Sequence, residues 1–289
     1  MSTTSQNIYD NPEFFTAYGN LPRSQHGLSA APEWPVLRQM ILKSNPSTQE
    51  TENPLKGQRI LDLGCGYGWF VRWARENGAS YIRGVDISQN MINRAEETET
   101  ETALKSSDNH TSAHSAGKIS LEVSDLETIK LSDKPDREAY DMVYSSLTFH
   151  YIEDIPRLFR EVNASLKRRG VHGKAGRFVF SIEHPVSTAP VSPGPEWKTI
   201  QENGKDYKVW PLNSYGDEGL RLTNWLGTAG VRKYHRSVET YITALLDSGF
   251  VLTGLKDWSP SEEDVKGQPN WSVERHRPYF LLISAEVSI

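Results

Sequence analysis

The sequence predicts an α/β fold, an open parallel sheet carrying helices on both faces. Two observations lead there. Between residues 59 and 182, five short runs rich in Ile, Leu, Val and Phe are interleaved with segments of helical periodicity. The first run ends in a glycine-rich turn that opens directly into the first of these helices. The length, 289 residues, is enough to bury a sizeable core without disulfide or metal staples.

Taken in order, residues 8–42 form an aromatic-rich preamble with Tyr9, Phe14, Phe15, Tyr18 and Trp34. Phe14, Phe15 and Tyr18 fall at helical spacing, and Pro22, Gly27, Pro32 and Pro35 divide the segment into short pieces. The polar stretch 44–56, with Pro46 and Pro54, reads as a linker. A first unit of residues 1–56, lid plus linker, is thereby set apart from a main domain at 57–289.

The first strand is expected at 59–63 and the helix after the turn at 69–77, stopped by Gly78. A second strand, 81–85, ends at Asp86, and Ser88 caps a helix over 89–97. The low-complexity stretch 96–117 is either a flexible surface loop or an extended helix end. Further strands follow at 119–123, 140–145 and 177–182, with a helix at 155–168 between the last two. Residues 185–232 break this rhythm with five prolines and three tryptophans, and read as an insertion after the fifth strand. An amphipathic helix at 237–248, stopped by Gly249, then leads to two last strands, 250–258 and 278–287.

Composition narrows the function. The formal net charge of −5 argues against a sequence-independent grip on nucleic acid, which needs a basic surface. With one cysteine, Cys65, neither an internal disulfide nor a Cys-rich zinc site can form, and no metal is expected. No apolar run reaches the roughly 20 residues of a membrane span, and residues 1–11 lack the pattern of a secretory signal. A cytoplasmic location is the expectation.

The strongest motif is Ile60-Leu61-Asp62-Leu63-Gly64-Cys65-Gly66-Tyr67-Gly68. Glycine admits positive φ and lets a ligand approach the backbone, and ligands of open α/β sheets bind beyond the carboxyl ends of the strands. The spacing 64, 66, 68 departs from the dinucleotide fingerprint Gly-x-Gly-x-x-Gly, and a P-loop lysine is absent. Asp62 is also a poor neighbour for a pyrophosphate. These departures favour a nucleoside cofactor that lacks phosphate and carries a positive group. Asp86 follows about 20 residues later at a strand end, where a carboxylate can accept from both ribose hydroxyls. Ser124-Asp125-Leu126 closes the third strand, in a position suited to the adenine.

Residues 61–68, Gly84-Val85-Asp86-Ile87-Ser88 and Ser124-Asp125-Leu126 resemble the successive motifs of class I S-adenosylmethionine-dependent methyltransferases. The resemblance spans about residues 59–183. It implies a Rossmann-like, doubly wound seven-stranded sheet, mostly parallel with an antiparallel last strand. It also implies S-adenosylmethionine as cofactor, with S-adenosylhomocysteine as product. Carried over by position, Gly64, Cys65, Gly66 and Gly68 would line the methionine and ribose, and Asp62 would help hold the amino group. Asp86 would take the ribose hydroxyls, and Ile87 and Met91 would flank the adenine. Ser124 and Asp125 would meet the adenine amine beside Leu126, and Ser145 and Ser146 would face the methyl donor. The preamble resembles the lid of small-molecule members of the family, in which Tyr18 and Arg23 would close over the methionine end.

Methyl transfer from a sulfonium needs no metal and no covalent nucleophile. A base is needed only for an acceptor that is protonated at working pH. His150, after the fourth strand, is the first candidate, His184 the second, with Tyr144 and His235 behind. The stretch Tyr144 to Phe149 lacks the Asn/Asp-Pro-Pro-Tyr/Phe motif of nucleic-acid amino-methyltransferases. Trp197, Trp210, Tyr215 and Trp225 of the insertion, with Tyr207, would wall an apolar pocket. The sequence therefore points to a small organic acceptor, methylated on O, N, S or C. A non-catalytic, methyltransferase-like regulatory or protein-binding module is the alternative.

Overall fold

The computed structural model describes residues 5–43, 53–107, 117–169 and 173–288. Residues 44–52 of the expected linker and residues 108–116 of the low-complexity stretch lie outside them. The preamble folds into α1 (Pro12–Gly19), α2 (Pro22–His26), a 3-10 turn at Gly27–Ala30 and α3 (Trp34–Lys43). The alternating region gives β1 (Arg59–Leu63), α4 (Trp69–Glu76), β2 (Tyr81–Asp86), α5 (Gln89–Ser107), β3 (Lys118–Val123) and β4 (Met142–Ser146). A 3-10 turn at Phe149–Tyr151, α6 (Ile155–Ser165) and β5 (Arg177–Glu183) follow.

After β5 come α7 (Pro185–Thr188) and two hairpins, β6 (Lys198–Glu202) with β7 (Lys205–Val209), and β8 (Gly219–Trp225) with β9 (Thr228–His235). The chain ends through α8 (Val238–Asp247), β10 (Phe250–Trp258), α9 (Glu262–Gly267), a 3-10 segment at Pro269–His276 and β11 (Phe280–Val287). No helix among the described residues is long and apolar enough to cross a membrane.

The main sheet has seven strands in the order β10-β11-β5-β4-β1-β2-β3. Strands β1 to β5 pair in parallel, and β11 enters antiparallel to both β5 and β10. Strand alternation divides the core into two layers. Leu61, Leu63, Val143, Phe178, Phe180 and Ile182 face α6 and α8, while Ile60, Met142, Tyr144 and Val179 face α3 and α4. On the first face Phe149, Phe159, Phe178 and Phe180 pack ring against ring, with Phe178 and Phe180 4.7 Å apart. Each such ring contributes about 1.5–3 kcal/mol by burial. On the other face α3 buries Leu37 and Ile41 against the sheet. The N-terminal region is thus part core layer and not only a cover.

The structure departs from the sequence expectation in a few elements. The fourth strand starts at Met142, because Tyr140 forms only an isolated bridge to Leu166 and its hydroxyl donates to Asp136 at 2.6 Å. The same bridge draws Leu166 into extended backbone and ends α6 at Ser165, short of 168. Of the two readings of the Glu/Thr-rich stretch, the extended helix end holds in its described part: α5 runs on to Ser107, with Thr98 and Thr100 donating to the carbonyls of Arg94 and Glu96. Residues 185–232, read as an insertion after the fifth strand, carry α7 and the hairpins between irregular stretches at 189–197 and 210–218. Asn203-Gly204 and Leu226-Gly227 take positive φ and turn the two hairpins, the first being a readable Asn-Gly signal. Helix α9, fixed by a Ser261/Asp264 capping box, was not anticipated.

Candidate active site

The carboxyl ends of β1, β2, β3, β4 and β5 open on a cavity of about 780 Å³, within the range of small-molecule sites. Its floor begins at the glycine turn. Gly64 has φ +78°, and an added Cβ would lie 2.2 Å from the Thr148 hydroxyl, so both conformation and space require glycine. Gly66 has φ +51° with nothing within 4 Å of an added Cβ, which leaves open space before its backbone. Gly68, φ +70°, stands one residue before α4 and does not line the cavity.

Asp86, at the end of β2, lies on the wall and holds the turn in place. Its carboxylate accepts from the Gly66 N–H at 2.9 Å and the Ser88 N–H at 3.0 Å. Burial pushes its carboxyl up to about 6, against the pull of those two donors. Ile87, Met91, Asp125 and Leu126 line the same half of the cavity. Asp125 accepts from the Glu127 N–H at 2.9 Å and from Ser5 Oγ at 2.6 Å. Ser146, at the end of β4, is also on the wall and meets Ser181 Oγ at 3.1 Å.

Residues 5–10 cross the cavity as a strap, a feature the sequence reading missed. Ser5 holds Asp125, and Asn7 Nδ2 donates to the Ile87 carbonyl at 3.3 Å. Gln6 accepts from the Arg232 N–H at 2.7 Å, and Asp10 accepts from Ser88 Oγ and the Asn90 N–H. The strap therefore ties α5 and β3 on one side to β9 on the other. Tyr9 packs edge-on against Phe14, Tyr18 and Tyr151, and Tyr18 lines the cavity beside Arg23. Nη2 of Arg23 is already engaged by both carboxylate oxygens of Glu33, at 2.8 and 2.9 Å.

At the far end stands a cluster around Glu183, the last residue of β5. Lys233 Nζ lies 2.6 Å from its Oε1, and His150 Nε2 lies 3.8 Å from the same atom. The Glu183 N–H donates to His150 Nδ1 at 3.4 Å. Burial alone would raise the Glu183 carboxyl, but Lys233, His150 and Arg277 outweigh it and hold it below its ordinary range. Burial lowers His150 to about 4, so its ring is neutral at pH 7. Arg277 stacks on Trp210 at 3.8 Å, and both line the cavity with Trp225.

Several expected site residues lie elsewhere. Tyr144 lies within β4, two residues short of the strand end at Ser146 that reaches the cavity. It points to the α3/α4 face and stacks on Phe70 at 3.7 Å. His184 caps α7, accepting from the Val186 N–H at 3.1 Å, with Nε2 3.0 Å from Asp257. Trp197 donates to Glu274 at 3.0 Å behind Trp210. Tyr215 packs on His235, and its hydroxyl accepts from the Val238 N–H at 3.2 Å. Ser145 is buried, donating to the Leu63 carbonyl at 2.6 Å, and the Ser124 N–H donates to the Asp86 carbonyl at 2.8 Å. Asp62 and Cys65 are buried beneath the turn, and burial pushes both well up. None of these eight lines the cavity. Tyr144 and Ser145 lie below the end of β4, where only Ser146 reaches the cavity, and the others are held by capping and packing partners away from it.

Residues 61–172 match the model of a methyltransferase domain family. The crystal structure of an S-adenosylmethionine-dependent methyltransferase from Mesorhizobium loti is 37% identical, with a TM-score of 0.69 over 90% of this chain and 100% of that one. The chain is a class I S-adenosylmethionine-dependent methyltransferase. An uncharacterised protein of Haemophilus influenzae is 30% identical over 283 residues, 96% of each chain. Phosphoethanolamine N-methyltransferase of Triticum aestivum is 32% identical over 117 residues, 39% of this chain and 19% of that one.

As a methyltransferase, the protein uses S-adenosylmethionine. The residues present fit such a group: an open cradle before the Gly66 backbone, a buried carboxylate at Asp86 facing the cavity, and Asp125 beyond it. Glu183 and Lys233 were missed although Glu183 ends a strand, a position that faces ligands in such sheets. Lys233 and Arg277 carry no local signal, since their neighbours arrive from β5, α7 and the insertion.

Proposed function

We propose that this methyltransferase transfers a methyl group to a small organic acceptor held in the half of the cavity bounded by β5, the β8–β9 hairpin and Arg277. The observation that carries this reading is the strap. Residues 5–10, tied to Ile87 and Asp125 on one side and to Arg232 on the other, span a cavity of about 780 Å³, a size that suits a small acceptor beside the cofactor. The small substrate in the name of the wheat phosphoethanolamine enzyme agrees with it.

In this reading Gly64 and Gly66 line the ribose and methionine, Asp86 accepts from the ribose hydroxyls, and Ile87, Met91, Asp125 and Leu126 surround the adenine. Tyr18 and Arg23 close the methionine end, and Ser146 faces the methyl group. When bound, the cofactor supplies an electrophilic methyl carbon on a sulfonium. An acceptor held beside Arg277 and the β8–β9 hairpin would present its nucleophilic atom to that carbon near Ser146. The protein contributes alignment, worth up to roughly 7–11 kcal/mol in favourable cases, and exclusion of water by the strap. Neutral His150, whose Nδ1 accepts from the Glu183 N–H, acts as an orienting group more than as a base.

The test uses methyl-labelled S-adenosylmethionine with a cell extract divided by dialysis into small molecules and macromolecules. The reading expects label in the dialysable products. Label confined to protein or nucleic acid refutes it.

A further inference from the structure

The cavity is electrically divided. Lining residues from the loops after β1, β2, β3 and β4 include four carboxylates, Asp86, Asp125, Glu127 and Glu153, and no lysine or arginine. Lining residues from β5, α7, the β8–β9 hairpin and the segment before β11 include Arg221, Arg232, Lys233 and Arg277 against one carboxylate, Glu183. The first half suits the hydroxyls and amine of an adenosine. The second gathers lysine and arginine side chains around a single lining carboxylate.

Two of these cations are buried, Lys233 at 7% exposure and Arg277 at 8%. Lys233 pairs directly with Glu183 at 2.6 Å, and the Arg277 charge helps hold the same carboxyl down. Arg277 also meets Glu274 at 2.9 Å and donates to Ser187 Oγ, yet its Nε–H is buried with no partner. Trp210 fixes the guanidinium plane at 3.8 Å, and Tyr279 flanks it at 4.9 Å. A buried donor left without an acceptor is costly, and a rigid guanidinium between aromatic rings is the arrangement that recognises planar or tetrahedral anions. The Arg221 guanidinium, held by the carbonyls of Ala189, Ser214 and Asp217, stands on the same side of the cavity.

We propose that the acceptor carries an acidic group, a carboxylate or a phosphate, received by Arg277 together with Lys233. This rests on the small-molecule reading above and names the acceptor's chemical class. The acid anchors the acceptor at the Arg277 end and leaves its nucleophilic atom to face the methyl donor near Ser146.

The experiment supplies the full-length protein with methyl-labelled S-adenosylmethionine and the small-molecule pool of a cell extract, first separated by ion exchange into anionic, neutral and cationic fractions. Label should come from the anionic fraction. Phosphatase treatment of that fraction should abolish labelling if the acid is a phosphate and leave it intact if it is a carboxylate. Arg277→Gln should raise KM for the active fraction at least tenfold while S-adenosylhomocysteine binds as in the wild type. Lys233→Gln serves as a second variant should Arg277→Gln fail to fold. Label from neutral or cationic fractions alone, or an unchanged KM in the folded variants, overturns this proposal and leaves the small-molecule reading standing. Label only in macromolecules overturns both.

Discussion

Replacing Asp86 with Asn tests the cofactor cradle at its most informative atom pair. The carboxylate accepts the Gly66 and Ser88 N–H groups at 2.9 and 3.0 Å and faces the cavity at the end of β2. Asn keeps one carbonyl acceptor and loses the charge. Hydrogen bonds to a charged group are worth about 1.5–3 kcal/mol each. Weakening the contacts to two ribose hydroxyls should therefore raise the Kd for S-adenosylhomocysteine tenfold to a few hundredfold, read by calorimetric titration at neutral pH. The pH profile supplies a second readout. Burial sets the free Asp86 carboxyl at about 6, and the ionised form is the one that accepts both hydroxyls. Wild-type affinity should be level above pH 6 and fall toward tenfold per pH unit below it, and this fall should be absent in Asp86→Asn. A folded variant with wild-type affinity and the wild-type pH profile would refute the ribose role of Asp86.

Two further outcomes follow from the same geometry. His150 is buried and held near 4 against an ordinary value of 6.5, so the unfolded state binds the extra proton. Its contribution is fully present above about pH 6.5 and is lost as pH falls through 4, up to roughly 3 kcal/mol. Asp86, raised in the folded state, acts in the opposite direction between 3.8 and 6. Urea melts at pH 7 and pH 5 should therefore show His150→Gln losing less stability on acidification than the wild type, and equal losses would contradict the assignment. Gly64→Ala should lower stability by about 1–3 kcal/mol, because its Cβ would meet the Thr148 side chain at 2.2 Å and its φ is +78°. Adding Thr148→Ala should recover only the steric part, and full recovery of Tm in the double variant would show that φ costs nothing there.

What the sequence determined by itself is what depends on near neighbours. Alternating apolar runs place β1, β2 and β5, glycine spacing forms the turn, and Asp86 falls at a strand end because β2 can end only where its apolar run does. Tertiary structure decided the rest. Whether Tyr144 or its neighbours reach the cavity depends on which sheet face packs against α4, and the stacking with Phe70 settles that. Strand β11 inserts between β5 and β10, a choice made by two long antiparallel registers rather than by chain order. The pairing of Glu183 with Lys233, 50 residues apart, and of Ser5 with Asp125, 120 residues apart, leaves no trace in local pattern. Such contacts form only when the hairpin and the N-terminal strap meet over the ends of the strands. The half of the cavity around Glu183 and the hairpin is therefore a product of the fold, while the glycine turn and the strand end at Asp86 were legible in the chain.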